Sequence, residues 1–194
     1  MLDNLKQYNI ILASNSPRRK ELLAGLDIPF EVKVIPGIDE NCPAYLKGSE
    51  IPRYLSRKKA EAYIGQMSDH DLIITADTVV WVDDTTVLGK PADEIEAGRM
   101  LRLLSGKTHD VITGVTIMTT GKTVTFAVES KVTFDELDEE DIDYYISHYH
   151  PMDKAGAYGI QEWIGFVGVT ALSGSYFNVM GLPVQRLYKE LKCF

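Results

Sequence analysis

Four short stretches of this chain combine residue types that can do chemistry. The stretch 11-ILASNSPRRKELLAGL-26 runs from apolar residues through Ser14, Asn15 and Ser16 to Pro17, then to Arg18, Arg19 and Lys20. A strand ending in small polar residues, followed by a proline-opened helix, presents backbone N–H groups and a helix dipole that favour an anion. Ser14 and Ser16 add hydroxyl donors, and Arg18 and Arg19 add planar forks suited to phosphate oxygens. Positive charge in a first helical turn opposes the dipole, so a helix start without a ligand has little use for it. The competing reading is a solvated basic helix N-terminus.

The second stretch is 75-TADTVV-80. An aspartate inside an apolar strand is costly unless it is paired or used. Asp77 can therefore hold a divalent cation or act as a general base; the alternative is a turn or capping aspartate. In the third, 88-LGKPAD-93, Lys90 sits in a Gly-Pro loop before a helix, where it can meet a phosphate or be a surface turn lysine. The fourth is 153-DKAGAYGIQE-162. Its glycines and alanines let backbone approach a ligand closely, and the Gln161 amide can both donate to and accept from a base edge. Asp153 and Lys154 either bridge each other or serve a site, and a tight structural crossover explains the composition equally well. SGKT at 105–108 is not a phosphate loop, because the glycine required five residues before Gly106 is Leu101. His148 and His150 are two apart, so a helix points them apart, and His109 reads as an exposed strand start.

The elements that must carry these residues follow from periodicity and punctuation. Strands are expected at 8–13, 30–36, 71–82 (interrupted by TADT), 109–118, 122–134 and 164–170. Helices are expected at 17–26, 49–65, 92–105, from the acidic run 135–143 onward, and at 183–192. The segment 37–52 reads as a mobile loop. Alternating strands and helices with some hairpins predict an α/β domain with a mixed sheet.

Composition narrows the function classes. The chain has 194 residues, enough for one sizeable domain, with a net charge of −8. That charge argues against general affinity for nucleic acid or anionic membrane, so a polyanionic ligand needs a local basic pocket. Two cysteines, Cys42 and Cys193, lie far apart, which fits a reducing compartment. With no secretory signal or membrane-length apolar run, a cytoplasmic protein is expected.

Together the stretches resemble the Maf family of nucleoside triphosphate pyrophosphatases. The resemblance rests on ILASNSPRRKELL, TADTVV, GKP, SGKTHDVITGV and DKAGAYGIQ, spread in order over nearly the whole chain. It implies one Maf-like domain over 1–194, with an elongated mixed β-sheet flanked by helices and two lobes around a central cleft, similar to inosine triphosphate pyrophosphatases. It implies cleavage of a nucleoside triphosphate to the monophosphate and pyrophosphate with a divalent cation, magnesium or manganese. The family's catalytic aspartate falls on Asp77, and its phosphate-binding residues on Ser14, Arg18, Arg19, Lys59 and Lys90. Glu40, in 37-GIDE-40, matches an acidic residue near the metal, which Asp77 would share. Three positions tied to substrate choice fall on Arg18, Thr78 and Gln161, and all three match the branch acting on dTTP and UTP rather than 7-methyl-GTP. The glycine usual after Gln161 is Glu162 here, and Asn15 stands where glycine is also common. Homodimers are common in the family, and some members are linked to septum formation, so a nucleotide-binding regulator of cell division is the reading from another class.

Overall fold

A computed structural model describes residues 2–83 and 85–194. Among the described residues, seven strands form one mixed sheet: β1 (Asn9–Leu12), β2 (Glu31–Val32), β3 (Asp71–Asp83), β4 (Thr86–Leu88), β5 (Thr108–Met118), β6 (Thr123–Phe134) and β7 (Val169–Ser173). Their order is β2-β1-β3-β5-β6-β7, with β4 paired to β3. β1 runs parallel to both β2 and β3, whereas β3–β4 and β6–β7 are antiparallel. The helices are α1 (Pro17–Ala24), α2 (Glu50–Glu61), α3 (Glu94–Leu104), α4 (Glu139–Tyr149), α5 (Trp163–Gly168), α6 (Tyr176–Val179) and α7 (Val184–Leu191). The expected mixed α/β architecture is therefore present.

The chain forms two compact units. Unit 1 comprises Met1–Asp77, Thr113–Val128 and Gly181–Phe194; unit 2 comprises Thr78–Ile112 and Glu129–Met180. In unit 1, Ile11, Ala60, Tyr63, Ile73 and Met118 pack into a core against Ala13, Ile35 and Met67. The Tyr63 hydroxyl donates to the Lys33 carbonyl at 2.7 Å and accepts from the Ile35 N–H at 3.1 Å, which fixes the chain leaving β2. In unit 2, Leu101, Leu104, Phe134, Ile142, Tyr145 and Ile164 are almost wholly buried.

Several elements differ from expectation. The break expected at TADT is absent, and β3 is continuous. Its polar side chains are answered locally, so nothing forces the strand open: the Thr75 hydroxyl donates to the Ser56 carbonyl at 2.6 Å and Asp77 meets Lys59. The strand expected at 164–170 is helix α5 followed by β7. A short apolar run cannot be assigned by periodicity alone. Here Gly165 decides it, because a Cβ there would lie 1.8 Å from the Ile160 carbonyl oxygen and only glycine permits this tight turn. The strand expected at 30–36 is two residues long, since Ile35 bonds to Tyr63 instead of a neighbouring strand. The helix expected at 49–65 ends in turns after Glu61, and residues 50–52 of the expected loop form its first turn. Pro52 is tolerated there because first-turn N–H groups lack helical partners.

Candidate active site

In unit 1 the site is built from the seating of α2. A Cβ at Gly114 would lie 2.2 Å from the Pro52 carbonyl, so glycine in β5 lets the start of α2 lie directly on that strand. Ser56 then ties the helix down. Its hydroxyl shares a hydrogen bond with Thr116 at 3.1 Å while its carbonyl accepts from Thr75. Thr75 and Asp77 lie two apart on one face of the strand. Ser56 and Lys59 lie three apart on one face of the helix. Register alone therefore brings Lys59 to Asp77, and the Lys59 Nζ donates to Asp77 Oδ1 at 2.6 Å.

The same ammonium lies 3.1 Å from Glu40 Oε2. Next to it, Lys58 pairs with Asp39 at 2.8 Å and donates to the Asn41 carbonyl at 3.1 Å. Two consecutive lysines of α2 thus hold the 39–41 loop, delivering Glu40 toward the residue that holds Asp77. Asp77 is 8% exposed, a burial that a carboxylate sustains only with such a partner.

Helix α1 adds the arginines. Ser16 is its N-cap, its side chain accepting from the Arg19 N–H at 3.4 Å. Ser14 is buried, and its hydroxyl accepts from the Ser16 N–H at 3.2 Å and from Arg19 Nη1 at 3.5 Å. The Arg19 guanidinium donates from Nη1 to the Ala76 carbonyl and from Nε to the Gly181 carbonyl, each at 2.8 Å. Arg19 thereby ties the start of α1 to the residue before Asp77, a bracing contact that sequence reasoning missed. Burial lowers its pKa from the ordinary arginine value, and Asp77 is the largest opposing influence. The guanidinium stays cationic throughout. Arg18 and Glu40 also act on it electrostatically. Unit 1 therefore gathers Ser14, Arg18, Arg19, Glu40, Lys59 and Asp77, six of the nine expected site residues.

Unit 2 carries Thr78, Lys90 and Gln161. Lys90 is exposed and Thr78 half-buried. The Gly156 N–H donates to the Gly89 carbonyl at 3.0 Å, joining the GKP loop to the AGAYG segment. Gly156 has a φ of +69°, and a Cβ there would meet Val80 at 2.8 Å, so glycine is needed on both counts. Gln161 is half-buried, and its side-chain carbonyl oxygen is buried without a hydrogen-bond partner. His109 is not exposed as expected. It is 2% exposed, its Nε2 shares a hydrogen bond with the Tyr158 hydroxyl at 2.8 Å, and its ring meets Phe134 and Tyr158 edge-on. Burial lowers its pKa from 6.5 to about 4.

The architecture is that of a mixed α/β fold. Its fold is similar to that of a HAM1 protein from Coxiella burnetii, with a TM-score of 0.52 at 16% identity, covering 96% of this chain and all of the other. At that identity the likeness speaks to fold alone. The sequence matches the Maf-like protein family over residues 9–194, and the chain belongs to that family. A protein of Phocaeicola vulgatus named dTTP/UTP pyrophosphatase is 63% identical over 99% of both chains. One of the same name from Parabacteroides distasonis is 60% identical over the whole of both, and one from Flavobacterium johnsoniae is 44% identical over 97% of this chain and 96% of its own. Among the described residues, no helix is long and apolar enough to cross a membrane.

Proposed function

We propose that this chain hydrolyses dTTP and UTP to the monophosphate and pyrophosphate. The observation that carries the reading is the Lys59 ammonium shared by Asp77 and Glu40. Its support for substrate class is the full-length likeness to relatives named for that activity. In unit 1, Arg18, Arg19 and Lys59 bind phosphate oxygens and stabilise the charge that develops on the leaving pyrophosphate; in unit 2, Lys90 is the cation available to a phosphate. The attacking water forms a bond to the α-phosphorus as the bond to the α–β bridging oxygen breaks, and the Asp77 carboxylate takes the water's proton. In unit 2, Gln161 and Thr78 select the base: a site that hydrogen-bonds an edge rejects a base that leaves its polar groups unpaired.

The donor set also fits a divalent cation. Among the described residues no group of three or more metal-ligating side chains occurs. Magnesium, however, needs only one or two carboxylates when waters and phosphate oxygens fill its remaining positions. Asp77 and Glu40 would hold magnesium or manganese, which when bound offsets triphosphate charge and makes a coordinated water more acidic. Lys59 keeps the two carboxylates together without the ion.

Pyrophosphate release from a panel of nucleoside triphosphates, with magnesium or manganese, tests the proposal in wild type and Asp77→Asn. Turnover of dTTP and UTP is expected to exceed that of purine triphosphates. The substitution is expected to cost roughly 10²–10⁴-fold in kcat. Near-normal turnover in Asp77→Asn overturns the role of Asp77, and no turnover of any triphosphate overturns the activity.

A further inference from the structure

Unit 2 contains a second charged cluster, built around the turn that carries Gln161. Lys154 is only 6% exposed. Its Nζ donates to Asp153 Oδ1 at 2.7 Å and lies 3.1 Å from Glu162 Oε1. The other Glu162 oxygen accepts a short hydrogen bond from the Tyr145 hydroxyl. That hydroxyl oxygen in turn accepts from the Gly159 N–H at 3.0 Å. The Glu162 N–H closes the turn on the Gly159 carbonyl at 2.9 Å. Residues 159–162 are thus pinned at both ends by one network, and Gln161 is carried inside it.

Gly159 connects this network to the Gln161 side chain. A Cβ at Gly159 would lie 2.9 Å from Gln161 Nε2 and 2.9 Å from Glu162 Cδ. The amide and the carboxylate therefore both lie over Gly159, in space that only glycine leaves open. The Gln161 carbonyl oxygen is buried without a partner there, a state that costs free energy unless something holds it. Orientation matters because an amide that turns over exchanges its donor for its acceptor. A freely turning glutamine suits the uracil and cytosine edges equally, whereas a fixed carbonyl oxygen accepts from the imide N–H of uracil or thymine and meets an acceptor on cytosine.

We propose that Glu162 is a positioning residue for base selection: tied to Lys154 and Tyr145 and packed over Gly159, it holds the Gln161 amide in one orientation, so that its unpaired carbonyl oxygen is kept as the acceptor for the imide N–H of the base. This inference rests on the proposed action on dTTP and UTP. Steady-state kinetics on dTTP, UTP and CTP test it in Glu162→Ala, Glu162→Gln and Gln161→Ala. In Glu162→Ala, KM for dTTP and UTP is expected to rise about tenfold, with a much smaller change in kcat. The UTP-to-CTP ratio of kcat/KM is expected to fall by about the same factor. Glu162→Gln, which keeps an acceptor for Tyr145, is expected to recover most of the ratio. An unchanged ratio in Glu162→Ala, where Gln161→Ala does shift it, overturns the positioning role and leaves the base-reading role of Gln161 standing. An unchanged ratio in both overturns the two together. If Glu162→Ala does not fold, Tyr145→Phe removes only the hydroxyl and is expected to lower the ratio in the same direction; an unchanged ratio there overturns the proposal.

Discussion

Each unit holds one lysine between two carboxylates, and the two lysines are put to different use. Lys59 donates to Asp77 at 2.6 Å and lies 3.1 Å from Glu40; Lys154 donates to Asp153 at 2.7 Å and lies 3.1 Å from Glu162. The pairing distances are nearly the same, but the surroundings differ. Glu40 is 58% exposed on a long loop, and Arg18 and Arg19 leave that cluster with three cations against two carboxylates. An open, cation-rich cluster can exchange partners when a polyanion arrives. Around Lys154 the setting differs: the ammonium is buried between Asp153 and Glu162, and Glu162 is committed to a buried tyrosine. That arrangement suits fixing a turn. An ion pair's chemistry thus depends on how much of its hydrogen-bonding capacity is already spoken for.

Replacing each lysine by methionine separates the two uses most sharply. Lys59→Met removes the cation that we propose stabilises developing phosphate charge, and kcat/KM is expected to fall roughly 10²–10³-fold. Lys154→Met takes a buried cation away from two carboxylates. It is expected to cost about 3 kcal/mol of stability, seen as a drop in Tm of roughly 10 °C, with a far smaller loss of kcat. Thermal melts and turnover assays on both variants check this. Comparable losses of kcat in the two would abolish the distinction.

The next contrast is in acid. His109 of unit 2 is held neutral by burial, its pKa lowered from 6.5 to about 4, with Asp110 opposing the shift. The unfolded chain therefore binds a proton that the folded chain refuses in this window. The contribution is fully present above pH 6.5 and is lost as pH falls toward 4, about 3 kcal/mol in all. His109→Gln keeps a polar group beside the Tyr158 hydroxyl and removes the titration. Urea unfolding at pH 7, 5.5 and 4 is expected to show a shallower loss of stability in the variant; parallel losses would place the acid sensitivity elsewhere.

What the sequence disclosed follows the same division. Asp77 stood out as an aspartate in an apolar run, a pattern that a turn or capping aspartate gives as well, and Arg18 and Arg19 stood out as cations crowding a helix start, which a solvated basic N-terminus also gives. Lys59 was not legible from its own surroundings, where it is one of four basic residues on an amphipathic helix. Its meeting with Asp77 depends on Ser56 meeting Thr75 and on Gly114 admitting Pro52, contacts between segments far apart in sequence. Lys154 and Glu162 were visible as charges among small residues, but Tyr145, which completes their network, comes from a different helix. The helix-strand junction at 163–173 was misread because one glycine against the Ile160 carbonyl outweighs the local apolar pattern.

The smallest contrast lies in two helix caps. Ser16 caps α1 of unit 1 by accepting from the Arg19 N–H at 3.4 Å; Asp93 caps α3 of unit 2 by accepting from the Glu96 N–H at 2.8 Å. The second is reinforced, since Glu96 reaches back to accept from the Ala92 N–H at 2.7 Å. Alanine at either cap is expected to cost about 1 kcal/mol, with Asp93→Ala the more destabilising because its bond is shorter, charged and reciprocated. Activity is expected to rank the other way. The Ser16 cap orders the turn bearing Arg18 and Arg19, and Arg19 is braced against the residue before Asp77, so a loosened α1 start displaces cations from the proposed phosphate site. Urea midpoints and kcat/KM for dTTP in both variants give the two rankings. If Asp93→Ala proves worse on both scales, the start of α1 is a simple helix cap with no share in the chemistry.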